Sequence, residues 1–220
     1  YCQGVRYVAR LEQRAGYVPE NSVLRISAVR NIASLQLVPT HSGQEWCTAN
    51  NVAIKVEAAA LNFRDVLTAL NMIPKGMDAM SDQDGLGSES VGIIERIGSS
   101  VPDAALGRRV IAMVPFRISA TVSLKETFEA PRHLEAAEVA TLFVAFVTAH
   151  DALVRFSSLE KGDALLVHGA AGGVGHAAVQ IAHHLGASVI GTSRSASKRT
   201  YLVRCLGVSL ALSSRDCLGY

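Results

Sequence analysis

Cysteine is scarce and scattered. Cys2, Cys47, Cys205 and Cys217 show no C-x-x-C spacing and lie far apart. Scattered cysteines of this kind fit reduced thiols of the cytosol better than a disulfide framework or a zinc site. Long apolar runs are missing as well. The longest, 139–149, is far short of the about 20 residues a helix needs to cross a bilayer, and it reads as buried helix. No signal-peptide pattern opens the chain, so a cytoplasmic protein is expected. Charge of one sign is not in excess: 21 Lys and Arg face 19 Asp and Glu, for a net charge of +2, and no basic run occurs. Neither nucleic acid nor membrane is therefore expected as a partner. Repeats and low-complexity stretches are absent. Tyr1 rather than Met stands first, which reads as a piece cut from something longer.

What is present suits a globular protein: 49 % of residues are apolar and 18 % charged, enough to bury a core. The first part reads as short strands between turns. Alternation over 4–11 and 52–57, and apolar β-branched runs over 92–97 and 109–114, predict strands. Helical spacing marks 63–70. The pattern changes near Pro131. An Ala-rich helix is predicted over 134–156, with Glu135 and Glu138 in its first turns, where the helix dipole favours acids. Strand 164–168, helix 174–185 ended by Gly186, strand 188–192, helix 197–206 ended by Gly207 and strand 208–212 follow. Such β-α-β-α-β order implies a parallel sheet with right-handed crossovers. The expected fold is α/β, with a β-rich unit over 1–132 and the first half of a doubly wound sheet over 133–220.

Between strand 164–168 and its helix lies Gly169-Ala170-Ala171-Gly172-Gly173-Val174-Gly175. Its placement is that of a dinucleotide fingerprint, with Ala170, Gly172 and Gly175 in the three glycine positions. A pyrophosphate sits against backbone N–H groups at a helix N-terminus, so small residues are needed there. NAD enzymes place an acid roughly 20 residues further on, to hold the ribose hydroxyls. No acid occurs over 187–203; Ser193, Arg194, Ser195, Ser197, Lys198 and Arg199 stand there instead. Hydroxyls and cations suit a phosphate on the ribose, so NADPH is the expected cofactor.

With these residues in view, the chain resembles the enoyl reductase domains of polyketide and animal fatty acid synthases. These belong to the zinc-free, quinone-reductase-like branch of the medium-chain dehydrogenase/reductase superfamily. The resemblance rests on the opening Gly4-Val5-Arg6-Tyr7-Val8-Ala9-Arg10-Leu11, on Asn62-Phe63-Arg64-Asp65, and on Gly87-Ser88-Glu89-Ser90-Val91-Gly92. Thr148-Ala149 with Ala152-Leu153, the glycine turn and Ser213-Ser214-Arg215 extend it. It implies a GroES-like domain followed by a Rossmann domain, with the active site between them. It implies NADPH-dependent reduction of an α,β-unsaturated thioester, held on the phosphopantetheine of an acyl carrier protein among neighbouring synthase domains; the hard chemistry is the cofactor's. Asn62 and Asp65 are the implied catalytic residues, and Thr148 and Arg215 join the cofactor set of Ala170, Gly172, Gly173, Val174, Gly175, Ser193, Arg194 and Lys198. No metal is expected, because zinc-dependent relatives carry a cysteine near the Asp65 position and a histidine at the Ser88 position. Glu89 reads as structural, and His150 and His168 as core or junction residues.

The resemblance also implies that the chain stops before the domain is complete, so that these residues alone lack the nicotinamide-supporting half. Three positions depart from the family. Ile73 replaces a tyrosine proposed as proton donor, Arg108 replaces an aspartate, and His150 replaces an aromatic. Two other functions stay open: a zinc-free NADPH quinone reductase, and a degenerate, non-catalytic scaffold.

Overall fold

β-Branched and small apolar residues on alternate positions build the first half of the chain. The structure is a computed structural model that describes residues 22–26, 32–39, 48–73 and 86–215. The strand expected over 4–11 lies outside the described residues. β1 (Ser22–Ile26) and β2 (Leu35–Pro39) form an antiparallel pair. β3 (Asn51–Ala60), β4 (Glu89–Ile97), β5 (Arg109–Ala112), β6 (Ser119–Ser123) and β7 (Thr127–Glu129) form an antiparallel sheet in the order β6-β3-β4-β5-β7. Its two faces are both covered. Val52, Ile54, Ile94, Val110 and Ala112 make a core on one side. Ala60, Val91 and Ile111 pack on Val139 and Ala140 on the other. The helix α1 (Phe63–Ala69) leaves the end of β3.

The helix expected as one piece over 134–156 is divided. Glu135 is the N-cap of α2 (Ala136–Ala140), and its N–H donates to the Glu138 carboxylate at 2.9 Å, one half of a capping box. A turn follows, in which the Thr141 hydroxyl donates back to the Glu138 carbonyl at 2.8 Å. α3 (Phe143–His150) then begins with the Val144 N–H donating at 2.7 Å to Glu89 on β4. That carboxylate takes an amide a continuous helix would have bonded to its own preceding turn, so the single-helix expectation fails. Past His150 the coil widens: the Ser157 N–H reaches the Ala152 carbonyl at 3.1 Å, a five-residue step.

The alternating part is regular. β8 (Ala164–Val167), β9 (Ser188–Thr192) and β10 (Leu210–Leu212) run parallel in the order β10-β9-β8. α4 (Gly173–Leu185) and α5 (Ala196–Leu206) cross between them and end on Gly186 and Gly207, at φ 80° and 68°. Those left-handed caps suit glycine, which pays no Cβ penalty there. Ala177, Val179 and Ala182 of α4 pack with Val189, Leu202 and Val208, joined by Ala149 of α3 and by Leu153. α3 therefore touches both halves: its start is held by β4 and its flank lies on α4. β8 is an edge of its sheet, with Leu166 48 % exposed. Among the described residues, no helix is long and apolar enough to cross a membrane.

Candidate active site

The ends of β8, β9 and β10 converge on one sheet edge. After β8, Gly169 turns the chain at φ 63° and its carbonyl accepts the Gly172 N–H at 2.8 Å. Gly172 is the N-cap of α4, and among the described residues no side chain caps the helix. The first bond along the helix runs from the His176 N–H to the Gly172 carbonyl at 2.8 Å. The N–H groups of Gly173, Val174 and Gly175 precede it, where helices lack internal acceptors and the dipole is positive. Gly175 is buried against the turn: a Cβ there would stand 2.5 Å from the Gly169 oxygen and 2.7 Å from the Ala170 Cα. Val174 is 45 % exposed, while Ala170 is fully buried. This open, uncapped helix start behind a close-packed turn fits a pyrophosphate.

Thr192 joins that turn to the next loop. It is fully buried; its carbonyl accepts the Ala170 N–H at 3.1 Å and its hydroxyl the Gly169 N–H at 3.3 Å. Ser193 follows, its N–H bonded to the Leu212 carbonyl of β10 at 3.0 Å. Arg199, one turn into α5, donates to the carbonyls of Ser193 at 2.9 Å and Arg194 at 2.8 Å. The guanidinium gathers the two carbonyl dipoles on the inside of the loop. Arg194 and Lys198 are exposed beside it, and Arg215 is exposed past β10, its N–H on the Ser213 hydroxyl at 3.3 Å. The Ser214 N–H approaches the Ser193 carbonyl at 3.5 Å, so Ser193, Arg194 and Arg215 belong to neighbouring loops. This cationic surface, with no acid over residues 187–203, fits a ribose phosphate.

Asn62 and Asp65 sit in the β-rich half, where β3 passes into α1. Asn62 is the N-cap, and its side chain lies on the Asp65 N–H in a capping box. Asp65 is 4 % exposed and both its oxygens are engaged: Oδ2 accepts the Asn62 N–H at 2.8 Å, and Oδ1 the Gly87 N–H at 3.0 Å. Asn62 donates from Nδ2 to Glu89 Oε1 at 2.9 Å. The structure thus joins Asn62, Asp65 and Glu89 in one cluster, and the glycine turn, Ser193, Arg194 and Arg215 in another. α3, bonded to Glu89 and packed on α4, connects the two.

Thr148 is exposed on the last turn of α3. The core reading of two histidines is corrected. The His150 side chain is 55 % exposed, and His168 is exposed with its Nδ1 3.3 Å from the Thr192 hydroxyl. His150 is the last residue of α3 and His168 follows the end of β8, places whose exposure local apolar context did not reveal. Arg108 lies on the surface, bonded to Glu129 at 2.8 Å, and this bond holds the Glu129 pKa below its ordinary value. Thr192 was not singled out from sequence, and Arg199 was, but only as one of the cations expected to meet a ribose phosphate. Arg199 had a signal, a cation one turn into the helix that follows the loop; Thr192 had none, because its partners are two dozen residues away.

Fold and clusters together define a dehydrogenase-like chain with a separate β-rich unit. The alcohol dehydrogenase GroES-like domain family matches residues 48–133. The chain is 37 % identical over 195 residues to a polyketide synthase, GfsB of Streptomyces halstedii, a match that spans 88 % of this chain and 3 % of the synthase. The solved CurK enoyl reductase superposes with a TM-score of 0.79 at 33 % identity, over 89 % of this chain and 60 % of that one. A mycobacterial protein solved in complex with NADPH aligns at 26 % identity, TM-score 0.75, over 89 % of this chain and 60 % of that chain. The chain belongs to the medium-chain dehydrogenase/reductase superfamily of oxidoreductases, with a GroES-like domain and a Rossmann part. It spans less than two thirds of the length of these relatives: 3 % of the synthase and 60 % of each solved chain.

Proposed function

We propose that the chain forms part of an enoyl reductase domain of a polyketide synthase, reducing the double bond of an α,β-unsaturated thioester on an acyl carrier protein. The unit over 1–132 receives the acyl chain and the unit over 133–220 the cofactor. NADPH, when bound, supplies the hydride that adds to the β-carbon. The N–H groups of Gly173, Val174 and Gly175 hold its pyrophosphate, with Ala170 and Gly172 giving the turn its close approach. Ser193, Arg194, Lys198 and Arg215 meet the 2′-phosphate, and Thr148 contacts the cofactor from α3. Asn62 donates to the substrate carbonyl oxygen, where negative charge grows as the β-carbon is reduced; a preorganised donor of this kind acts most strongly in a site closed to water. Asp65, with both oxygens on backbone N–H groups, orients the Asn62 segment.

The observation that carries this reading is the acid-free loop at Ser193, tied through Thr192 to an uncapped glycine turn, in a chain whose curated relatives are polyketide synthases. Its test is kinetic. The full-length protein is supplied with NADPH and, separately, with an enoyl-pantetheine thioester and with a quinone. Oxidation of NADPH by the thioester is expected. Turnover of the quinone alone would favour the second reading, a zinc-free quinone reductase, which the solved quinone oxidoreductases of this fold motivate. NADPH binding with turnover of neither would favour a non-catalytic domain, consistent with Ile73 in place of the family's tyrosine.

A further inference from the structure

A carboxylate sealed inside a protein needs a donor on each oxygen. Glu89 is 2 % exposed and meets that need from two directions. Its Oε1 accepts Asn62 Nδ2 at 2.9 Å, and its Oε2 accepts the Val144 N–H at 2.7 Å. Neither donor belongs to β4. One heads α1 at the end of β3; the other opens α3, which packs on the helix that carries the glycine turn.

The chemistry of an amide makes this bond directional. Only its nitrogen side can face a carboxylate, so Glu89 decides which way the Asn62 amide is turned. The oxygen side of the amide is turned toward the first turn of α1 in a capping box, where the Asp65 N–H donates to the Asn62 backbone carbonyl at 3.0 Å. Beside the proton given to Glu89, the Asn62 amide has a second Nδ2 proton, a hydrogen-bond donor. Through Val144, the same carboxylate fixes that donor relative to α3, and hence to the cofactor unit.

We propose that Glu89 is a positioning residue for the reaction: it holds the Asn62 amide nitrogen-first and ties it to α3, so that Asn62 presents one N–H to the substrate. The identity of that substrate rests on the enoyl reductase reading; the orientation of the amide does not. The same carboxylate also divides the helix over 134–156, so one buried acid sets both the break and the donor.

The test uses the full-length protein. Glu89→Gln keeps the size but offers one acceptor where two donors converge, so Asn62 or Val144 loses its partner. Misplacing a reacting group by about 1 Å can cost roughly a hundredfold, so kcat on the enoyl thioester should fall by about tenfold or more, with KM and NADPH affinity nearly unchanged. In an Asn62→Ala background, adding Glu89→Gln should cost little further, because the amide that Glu89 orients is gone. Losses that simply multiply would mean that Glu89 acts on the fold and not through Asn62, and would overturn the proposal. Where Glu89→Gln does not fold, the side-chain amide signals of Asn62 in the unmutated, substrate-free protein decide. One Nδ2 proton should be protected from exchange and shifted downfield by the carboxylate. Two equivalent, freely exchanging protons would overturn the proposal. That readout needs no substrate, so a protein that reduced only quinones would sink the enoyl reductase reading without touching this one.

Discussion

Alanine placed at two neighbouring glycines of one helix start should have opposite effects. In a helix interior Ala is favoured over Gly by about 0.8–1.0 kcal/mol. At Gly173 a Cβ would meet nothing within 4 Å, so only that preference acts. At Gly175 the Cβ would stand 2.5 Å from the Gly169 oxygen and 2.7 Å and 2.8 Å from Ala170 backbone atoms. These atoms cannot swing aside. The Gly169 carbonyl is bonded to the Gly172 N–H at 2.8 Å, and the Ala170 N–H to Thr192 at 3.1 Å. Relief requires α4 to move off β8, which loosens the packing of Ala177 and Val179, both fully buried. Overpacking of this kind costs about 1–3 kcal/mol, so the net loss for Gly175→Ala is about 0–2 kcal/mol after the helix preference is subtracted. For a domain of this size that lowers Tm by up to about 8 °C, at about 2–4 °C per kcal/mol. NADPH affinity should fall with it, because the helix N–H groups move. Thermal unfolding of the full-length protein, with Gly173→Ala as the stability control, and fluorescence titration against the unmutated protein read the two quantities. A Gly175→Ala protein that melts with the wild type and binds NADPH unchanged would refute the close-packed turn.

Arg194→Ala should weaken NADPH by about ten- to a hundredfold, the worth of one charge-assisted hydrogen bond of about 1.5–3 kcal/mol, and leave NADH nearly unchanged; equal losses by titration calorimetry would argue against a 2′-phosphate site. Asp65→Ala strips the acceptor from the Asn62 and Gly87 N–H groups, and should lower stability by about 1–3 kcal/mol for each group left buried and unpaired; an unchanged denaturation midpoint would contradict the bonding seen. Prolonged chelation should leave activity intact and elemental analysis should find no stoichiometric zinc, since neither Ser88 nor Asp65 reproduces the zinc relatives' ligands; activity lost on chelation and restored by zinc would show otherwise.

The parallel half was readable because its signals are local. Gly186 and Gly207 end α4 and α5 where periodicity stops, and the apolar run of β9 stands between turn residues, so those elements fall within one or two residues of expectation. β3 was readable from alternation and β4 and β5 from apolar β-branched runs, but β6 and β7 were not predicted and no pairing was legible, since β3 and β4 are separated by α1 and a long connection. The break after α2 was illegible for the same reason. Its cause is a carboxylate 55 positions earlier, whereas the intervening apolar residues all support helix. The glycine turn showed itself through composition. The bonds that shape the neighbouring loop, from Thr192 and Arg199, depend on strands meeting in space. Asp65 illustrates the limit most plainly: sequence offers a carboxylate near the site, and only coordinates reveal that both its oxygens are held by backbone N–H groups.

The proposed function is reduction of a carbon–carbon double bond next to a thioester. Its most direct test supplies the full-length protein with NADPH carrying deuterium at the transferable position of the nicotinamide and with an enoyl-pantetheine thioester, and reads the product by mass spectrometry and NMR. The predicted result is a saturated thioester with a single deuterium on the β-carbon. A product without deuterium in the acyl chain, or no saturated product while the label passes to an added quinone, would contradict it.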